Sequence, residues 1–316
     1  MADLSELLTP ALWLSPAVLA LLGLCIGSFL NVVVYRLPLV LERQWLGDVQ
    51  AMLQDRDSLA RTLGAGLDAK ALAQVGRSGQ AIEAALGALP ALTLSKPRSR
   101  CGACGTTLRW FHNIPLLSWL VLRAKCAACG APISLRYPLV EAGTALAFGL
   151  IAWVFGPTAT AAVYATAAAL LIAMALIDLD TTLLPDSLTY ALVGVGLIAA
   201  WLGWTPVRLD DAALGVLFGY GSLWALTSLY ALLRGVRGMA EGDFKLLAGL
   251  GALLGVAQLL PIVLLASVVG AAVGLFLVFA KGHRREVPIP FGPYLAGGGL
   301  AAMFSGTRLL QWWLPA

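Results

Sequence analysis

Apolar runs of about twenty residues recur along this chain, and a helix of that length crosses the roughly 30 Å hydrocarbon core of a bilayer. The candidate spans are about 12–35, 138–156, 158–177, 188–204, 213–233, 246–260, 262–280 and 290–307. Residues 246–280 form a single uncharged stretch, too long for one ordinary span and sufficient for two short ones, with Pro261 as the expected break. Composition agrees: 59% of residues are hydrophobic and 12% charged, against about 25% charged in soluble domains. Too few ionised groups are present to cover a water-facing surface, which excludes a soluble enzyme, a disordered chain, a coiled coil and a secreted disulfide scaffold. The expected fold is an all-α polytopic membrane protein of about eight transmembrane helices. Asp3 and Glu6 precede the first apolar run and no basic segment does, so that run reads as a retained span and not a cleaved signal peptide.

The charges are unevenly spread. Residues 36–136 hold 13 basic and 6 acidic side chains, half of the chain's 38 charges. This pattern predicts three parts: a first transmembrane helix over 1–35, a cytoplasmic domain over 36–136, and a transmembrane domain over 137–316. With the N-terminus outside, loops 36–136, 178–187, 234–245 and 281–289 face the cytoplasm. Short loops then place six basic residues inside (Arg234, Arg237, Lys245, Lys281, Arg284, Arg285) and two outside (Arg208, Arg308), as the positive-inside rule requires. The long loop lacks the dense basic patch with interleaved aromatics that a nucleic-acid surface needs, so no nucleic-acid partner is expected. Residues 52–90, rich in Ala, Leu and Gly, read as two or three short helices without assigned chemistry.

Four of five cysteines form Cys101-x-x-Cys104 and Cys126-x-x-Cys129. Two such knuckles bring four thiolates into the tetrahedron that zinc accepts, with Gly102 and Gly130 expected to ease the turns. A reducing compartment disfavours structural disulfides, and four thiolates leave no open position for water. The expectation is one structural zinc ion in a module over 101–129. Between the knuckles, TLRWFHNIPLLSWLVLR is apolar but interrupted by Arg109, His112, Asn113 and Pro115, and is expected to dock on the membrane face or the zinc module. Cys25, on the first apolar helix, reads as a small buried hydrophobe.

Ionisable groups at a membrane boundary are costly and point to function. Asp178 ends an apolar run in LIAMALIDLDTTLLPD, and Asp243 stands in GMAEGDFKLLAGLG where a later span begins. In the proposed topology both fall at the cytoplasmic ends of their helices, so they share a depth that permits them to meet. Two facing carboxylates near hydrocarbon share one proton, the arrangement by which an aspartic protease activates water and polarises a carbonyl. Proton coupling in a secondary transporter is the competing use of the pair, and a non-enzymatic zinc-stabilised scaffold of a secretion or pilus system is a third reading. Asp186 reads as a helix cap or a support for the site, Asp180 as solvated, and Lys245 as a boundary anchor or a partner for a carboxylate. Asn31 requires a hydrogen-bonding partner within the first span, and Glu141 is expected to pair with Arg136 or another loop base.

Taken in order, GSFLNVVVYRLP (27–38), LERQW (41–45), CGAC…CAAC (101–129), HNIPLLSWL (112–120), ISLRYPLVE (133–141), IDLDTTLLPD (177–186) and GMAEGDFKLLAGLGALLG (238–255) resemble the type IV prepilin peptidase family. The resemblance covers nearly everything except about 50–95. It implies a bifunctional enzyme of the bacterial inner membrane with a periplasmic N-terminus and a cytoplasmic first loop. Asp178 and Asp243 would be the catalytic pair. The substrates would be prepilins or pseudopilins, whose basic leader ends in glycine before an apolar helix. The new N-terminus would then be methylated with S-adenosylmethionine, an activity the resemblance links to the first loop, where Glu42 matches a motif position. The chain departs from the family's usual Gly-Met-Gly-x-Gly-Asp at Ala240, which would be strained if that position needs a positive φ.

Overall fold

The computed structural model describes residues 10–63, 68–236, 238–281 and 289–305. Its helices are α1 (Pro10–Trp13), α2 (Pro16–Gln54), α3 (Arg56–Leu63), α4 (Ala69–Gly87), α5 (Leu117–Val121), α6 (Arg136–Phe155), α7 (Ala159–Thr181), α8 (Asp186–Trp201), α9 (Leu209–Arg234), α10 (Glu241–Leu254), α11 (Leu259–Lys281) and α12 (Gly292–Ser305). Among the described residues no strand forms, only the isolated bridges Arg100–Thr107 and Lys125–Pro132. Among the described residues, five helical stretches are long and apolar enough to cross a membrane: Pro16–Gln54, Arg136–Phe155, Ala159–Thr181, Leu209–Arg234 and Val256–Phe279. The other three expected spans fall on shorter helices, the apolar α8 and the 14-residue α10 and α12. Arg237, Arg284, Arg285 and Arg308, which the charge argument uses, lie outside the described residues.

The chain divides into two compact units, residues 1–34 with 109–316, and residues 35–108. In the first, α10 lies at the centre and packs on α8, α9 and α12. Small residues let the backbones touch. A Cβ on Gly196 would stand 2.6 Å from the Ala252 carbonyl carbon, and one on Gly219 would stand 2.7 Å from the Leu247 oxygen. Close approach through small residues is how helices associate without a hydrophobic driving force between them. The resulting core includes Leu171, Met174, Leu192, Leu246, Leu250, Leu253, Ile262 and Leu295. The first half of α2 packs on α6 in the same way, with Gly27 against the Glu141 Cα and Gly23 against Ala145.

Two expectations change here. The break between α10 and α11 falls at Gly255, not Pro261. Gly255 adopts φ 84°, closed to most side chains, and the Asp211 carboxylate accepts the next N–H, from Val256, at 3.1 Å. Pro261 sits in the first turn of α11, where a missing N–H costs little. Cys25 is exposed on α2, and in a bilayer that face meets lipid.

Residues 35–108 are built differently. Pro38 is the only apolar side chain of this unit that is buried among the described residues. Polar bonds hold the unit instead. Arg36 donates to the Thr93 and Leu94 carbonyls at 3.2 Å, Arg43 to the Pro90 carbonyl at 2.8 Å, and Gln54 to the Glu83 carboxylate at 2.8 Å. Asp68 caps α4 by accepting from the Ala71 N–H at 2.6 Å.

Candidate active site and metal site

Asp178 lies one turn before the end of α7, and Asp243 lies in the first turn of α10. Both are buried, at 4% and 6% exposure. A third helix completes the site. The Gly292 N–H, at the start of α12, donates to Asp178 Oδ2 at 2.9 Å. Any side chain on Gly292 would place its Cβ 2.6 Å from that oxygen, so only glycine brings the backbone this near. Leu184 stands beside both arms of the site, 2.7 Å from where a Gly242 Cβ would be and 3.2 Å from where a Gly292 Cβ would be. Asp243 Oδ1 is buried and has no hydrogen-bond partner among the described residues, a costly state for a carboxyl oxygen and one that an incoming donor relieves.

The neighbouring charges brace this arrangement. Lys245 pairs with Asp186 at 2.6 Å and lies 5.5 Å from the Tyr190 ring centre. That contact ties the start of α8 to the turn carrying Asp243, so Asp186 supports the site and Lys245 holds a carboxylate. Asp180 is not simply solvated: Arg136 grips both its oxygens, at 2.8 and 2.7 Å. Arg136 is therefore taken, and Glu141 makes a different bond, accepting the Leu116 N–H at 2.8 Å. Asn31 finds its partners in the Gly27 and Tyr137 carbonyls, both at 3.2 Å. Ala240 has φ −81° and ψ 150°, ordinary extended backbone, so alanine is unstrained where the family commonly has glycine.

Gly292 is the residue that sequence reasoning missed. Its contribution is a main-chain N–H, which no side-chain pattern announces. The one available signal was the Ile-Pro-Phe-Gly-Pro turn at 289–293 that precedes an apolar run.

The two cysteine knuckles have one geometry. The Cys101 N–H bonds the Thr106 carbonyl and the Cys126 N–H the Ala131 carbonyl, at 2.9 and 2.8 Å. Each turn closes on a glycine four residues after the first cysteine, Gly105 (φ 71°) and Gly130 (φ 70°). Gly105, not Gly102, is therefore the glycine the first turn requires. The ligand atoms of Cys101, Cys104, Cys126 and Cys129 all lie within 4.8 Å of one another. Sulfurs at the corners of a zinc tetrahedron stand about 3.8 Å apart, given a Zn–S bond near 2.3 Å, so the four residues fit a bound metal. Glu42 is exposed on α2, between Arg36 and Arg43 in sequence.

Comparison with known proteins gives the family. The family model described as Bacterial Peptidase A24 N-terminal domain matches residues 21–155, and that described as Type IV leader peptidase family matches 165–275. A prepilin leader peptidase/N-methyltransferase of Aeromonas hydrophila is 42% identical over 320 residues, covering 99% of both chains. One from Burkholderia pseudomallei is 43% identical over 288 residues, 90% of this chain and 84% of the relative. One from Pseudomonas aeruginosa is 42% identical over 295 residues, 93% of this chain and 91% of the relative. No solved structure matches. With both family models in sequence order and relatives aligned almost end to end, the chain belongs to the type IV leader peptidase family.

Proposed function

We propose that this chain removes the leader peptide of prepilins or pseudopilins with Asp178 and Asp243 as its catalytic pair, and then methylates the new N-terminus. What supports the peptidase half is the burial of two carboxylates, one near the C-terminal end of α7 and one at the start of α10, with Leu184 beside the glycines Gly292 and Gly242 that adjoin them. One carboxylate takes a proton from the attacking water while the other, protonated, hydrogen-bonds the scissile carbonyl oxygen. The tetrahedral intermediate collapses as a proton passes to the leaving amine, and the C–N bond breaks. The Gly292 N–H keeps Asp178 in place through these transfers, and the unpartnered Asp243 Oδ1 is the atom placed to meet substrate or water. A substrate whose apolar helix lies in the bilayer presents its scissile bond at the boundary, where water is available.

The methyl donor is S-adenosylmethionine, and Glu42 is the residue we assign to that half of the enzyme. Support for Glu42 is its exposure on α2, beside the two arginines that fasten segment 90–94. Zinc is the metal we assign to the four cysteines, on the basis of an all-thiolate donor set. Bound there, the ion supplies cross-linking of the two knuckles and no chemistry on substrate. We place the chain in the bacterial inner membrane with its N-terminus outside and the 36–136 loop in the cytoplasm.

Mass spectrometry of a co-expressed prepilin reads both activities in one sample, as leader loss and as the mass of one methyl group. Asp178→Asn and Asp243→Asn should each lower cleavage by about 10³-fold or more, while a synthetic pre-cleaved N-terminus is still methylated. Cleavage at the unaltered rate by either folded variant would remove that residue from the mechanism.

A further inference from the structure

The segment between the knuckles has a property that neither proteolysis nor methylation uses. Along residues 110–121, Trp110 is 75% exposed, Leu117 54%, Leu120 63% and Val121 71%. Large apolar side chains this bare are costly in water and mark a surface that something apolar covers.

Two bonds fix where the surface sits. The buried Glu141 carboxylate accepts the Leu116 N–H, and the Trp119 indole N–H donates to the Ile133 carbonyl at 3.3 Å. Glu141 lies in the second turn of α6, a helix long and apolar enough to cross a membrane. The segment is thus pinned at the mouth of a membrane helix. Its bare apolar face is continued on the α6 side by exposed Leu135, Tyr137 and Leu139. Leu116 keeps φ 57°, unusual outside glycine, where the Glu141 bond is made.

Charge identifies the occupant. From 109 to 135 the only charged residues are Arg109, Arg123 and Lys125, all exposed, and no Asp or Glu occurs. Basic side chains flanking an apolar, Trp-bearing face match the boundary between anionic headgroups and acyl chains. A substrate leader, itself basic under the reading above, would be repelled by the same three charges.

We infer that residues 110–121 form an interfacial anchor that lies in the headgroup–acyl boundary of an anionic leaflet, held at that depth by Glu141. The inference rests on α6 spanning the membrane and is independent of the peptidase chemistry.

The test places a photoreactive residue, Leu120→p-benzoylphenylalanine, in the full chain reconstituted in nanodiscs of phosphatidylethanolamine with a minority of phosphatidylglycerol. Leu226 on the exposed face of α9 serves as the lipid-facing reference, and exposed Gln80 on α4 as the water-facing one. After irradiation, the expected result is lipid adducts at position 120 at the level of the Leu226 reference, with few at Gln80. Phosphatidylglycerol adducts should exceed their bulk share by about twofold or more, and Arg123→Ala with Lys125→Ala should return that ratio to bulk. Lipid adducts no more frequent than at Gln80 would overturn the anchor, as would cross-links at position 120 going to added prepilin or to a second copy. A bulk lipid ratio in the unaltered chain would overturn the choice of an anionic leaflet.

Discussion

The helical bundle of α6–α12 and the unit of residues 35–108 keep their shapes by opposite means. In the bundle, glycines and alanines let backbones touch, and large side chains such as Leu246, Leu250 and Ile262 are wholly buried. In 35–108 Pro38 is the only apolar side chain buried among the described residues, and arginines gripping main-chain carbonyls take the place of a core. The difference follows what each part must do. Two carboxylates stay together away from water only if many packed atoms prevent them from parting. A unit with little core has no such reserve, and small units of that kind commonly depend on a bound metal or cross-link.

The largest effect expected from this contrast is at Gly292. Gly292→Val should lower cleavage by about 10²-fold through displacement of Asp178, with the bundle still folded and methylation of a pre-cleaved peptide retained. A comparison of kcat with KM checks it: the loss belongs in kcat, and a loss confined to KM would mean that Gly292 binds substrate instead. Metal removal comes next. Chelation, or Cys101→Ser, should open residues 99–133 to proteolysis while amide protection in α10 is unchanged, as read by hydrogen exchange. If α10 loses protection to the same degree, the contrast between packed bundle and metal-held loop is wrong. The smallest effect is at Arg43. Removing its bond to Pro90 with Arg43→Ala should speed amide exchange in 88–94 by about fivefold, the equivalent of about 1 kcal/mol, with cleavage unchanged.

What the sequence conveyed followed from groups whose chemistry is visible in one letter. Apolar runs placed the helices, and charged residues at their ends placed Asp178 and Asp243 at one depth. Cysteine spacing announced the four-residue cluster. What stayed hidden was done by the main chain or by choice among partners. Gly292 acts through its N–H, and Gly255 breaks the long apolar stretch because its φ is positive, while the more conspicuous Pro261 rests in a first turn. The sequence offered Arg136 only Glu141 and read Asp180 as solvated, and the packing of α6 beside α7 gave Arg136 to Asp180 instead.

The shortness of α10 has a consequence for how a greasy peptide is handled. Its 14 residues, at about 1.5 Å each, measure about 21 Å, less than the roughly 30 Å thickness of oil they stand in. Gly215 of α9 lies against Gly251 and Gly219 against Ala248, so α9 runs on to Arg234 past the level of Asp243. If the substrate is a pilin-like apolar helix, one lying along that part of α9 would come within reach of Asp243 before its own length had been lifted out of the lipid, so extraction and cutting need not be separate events.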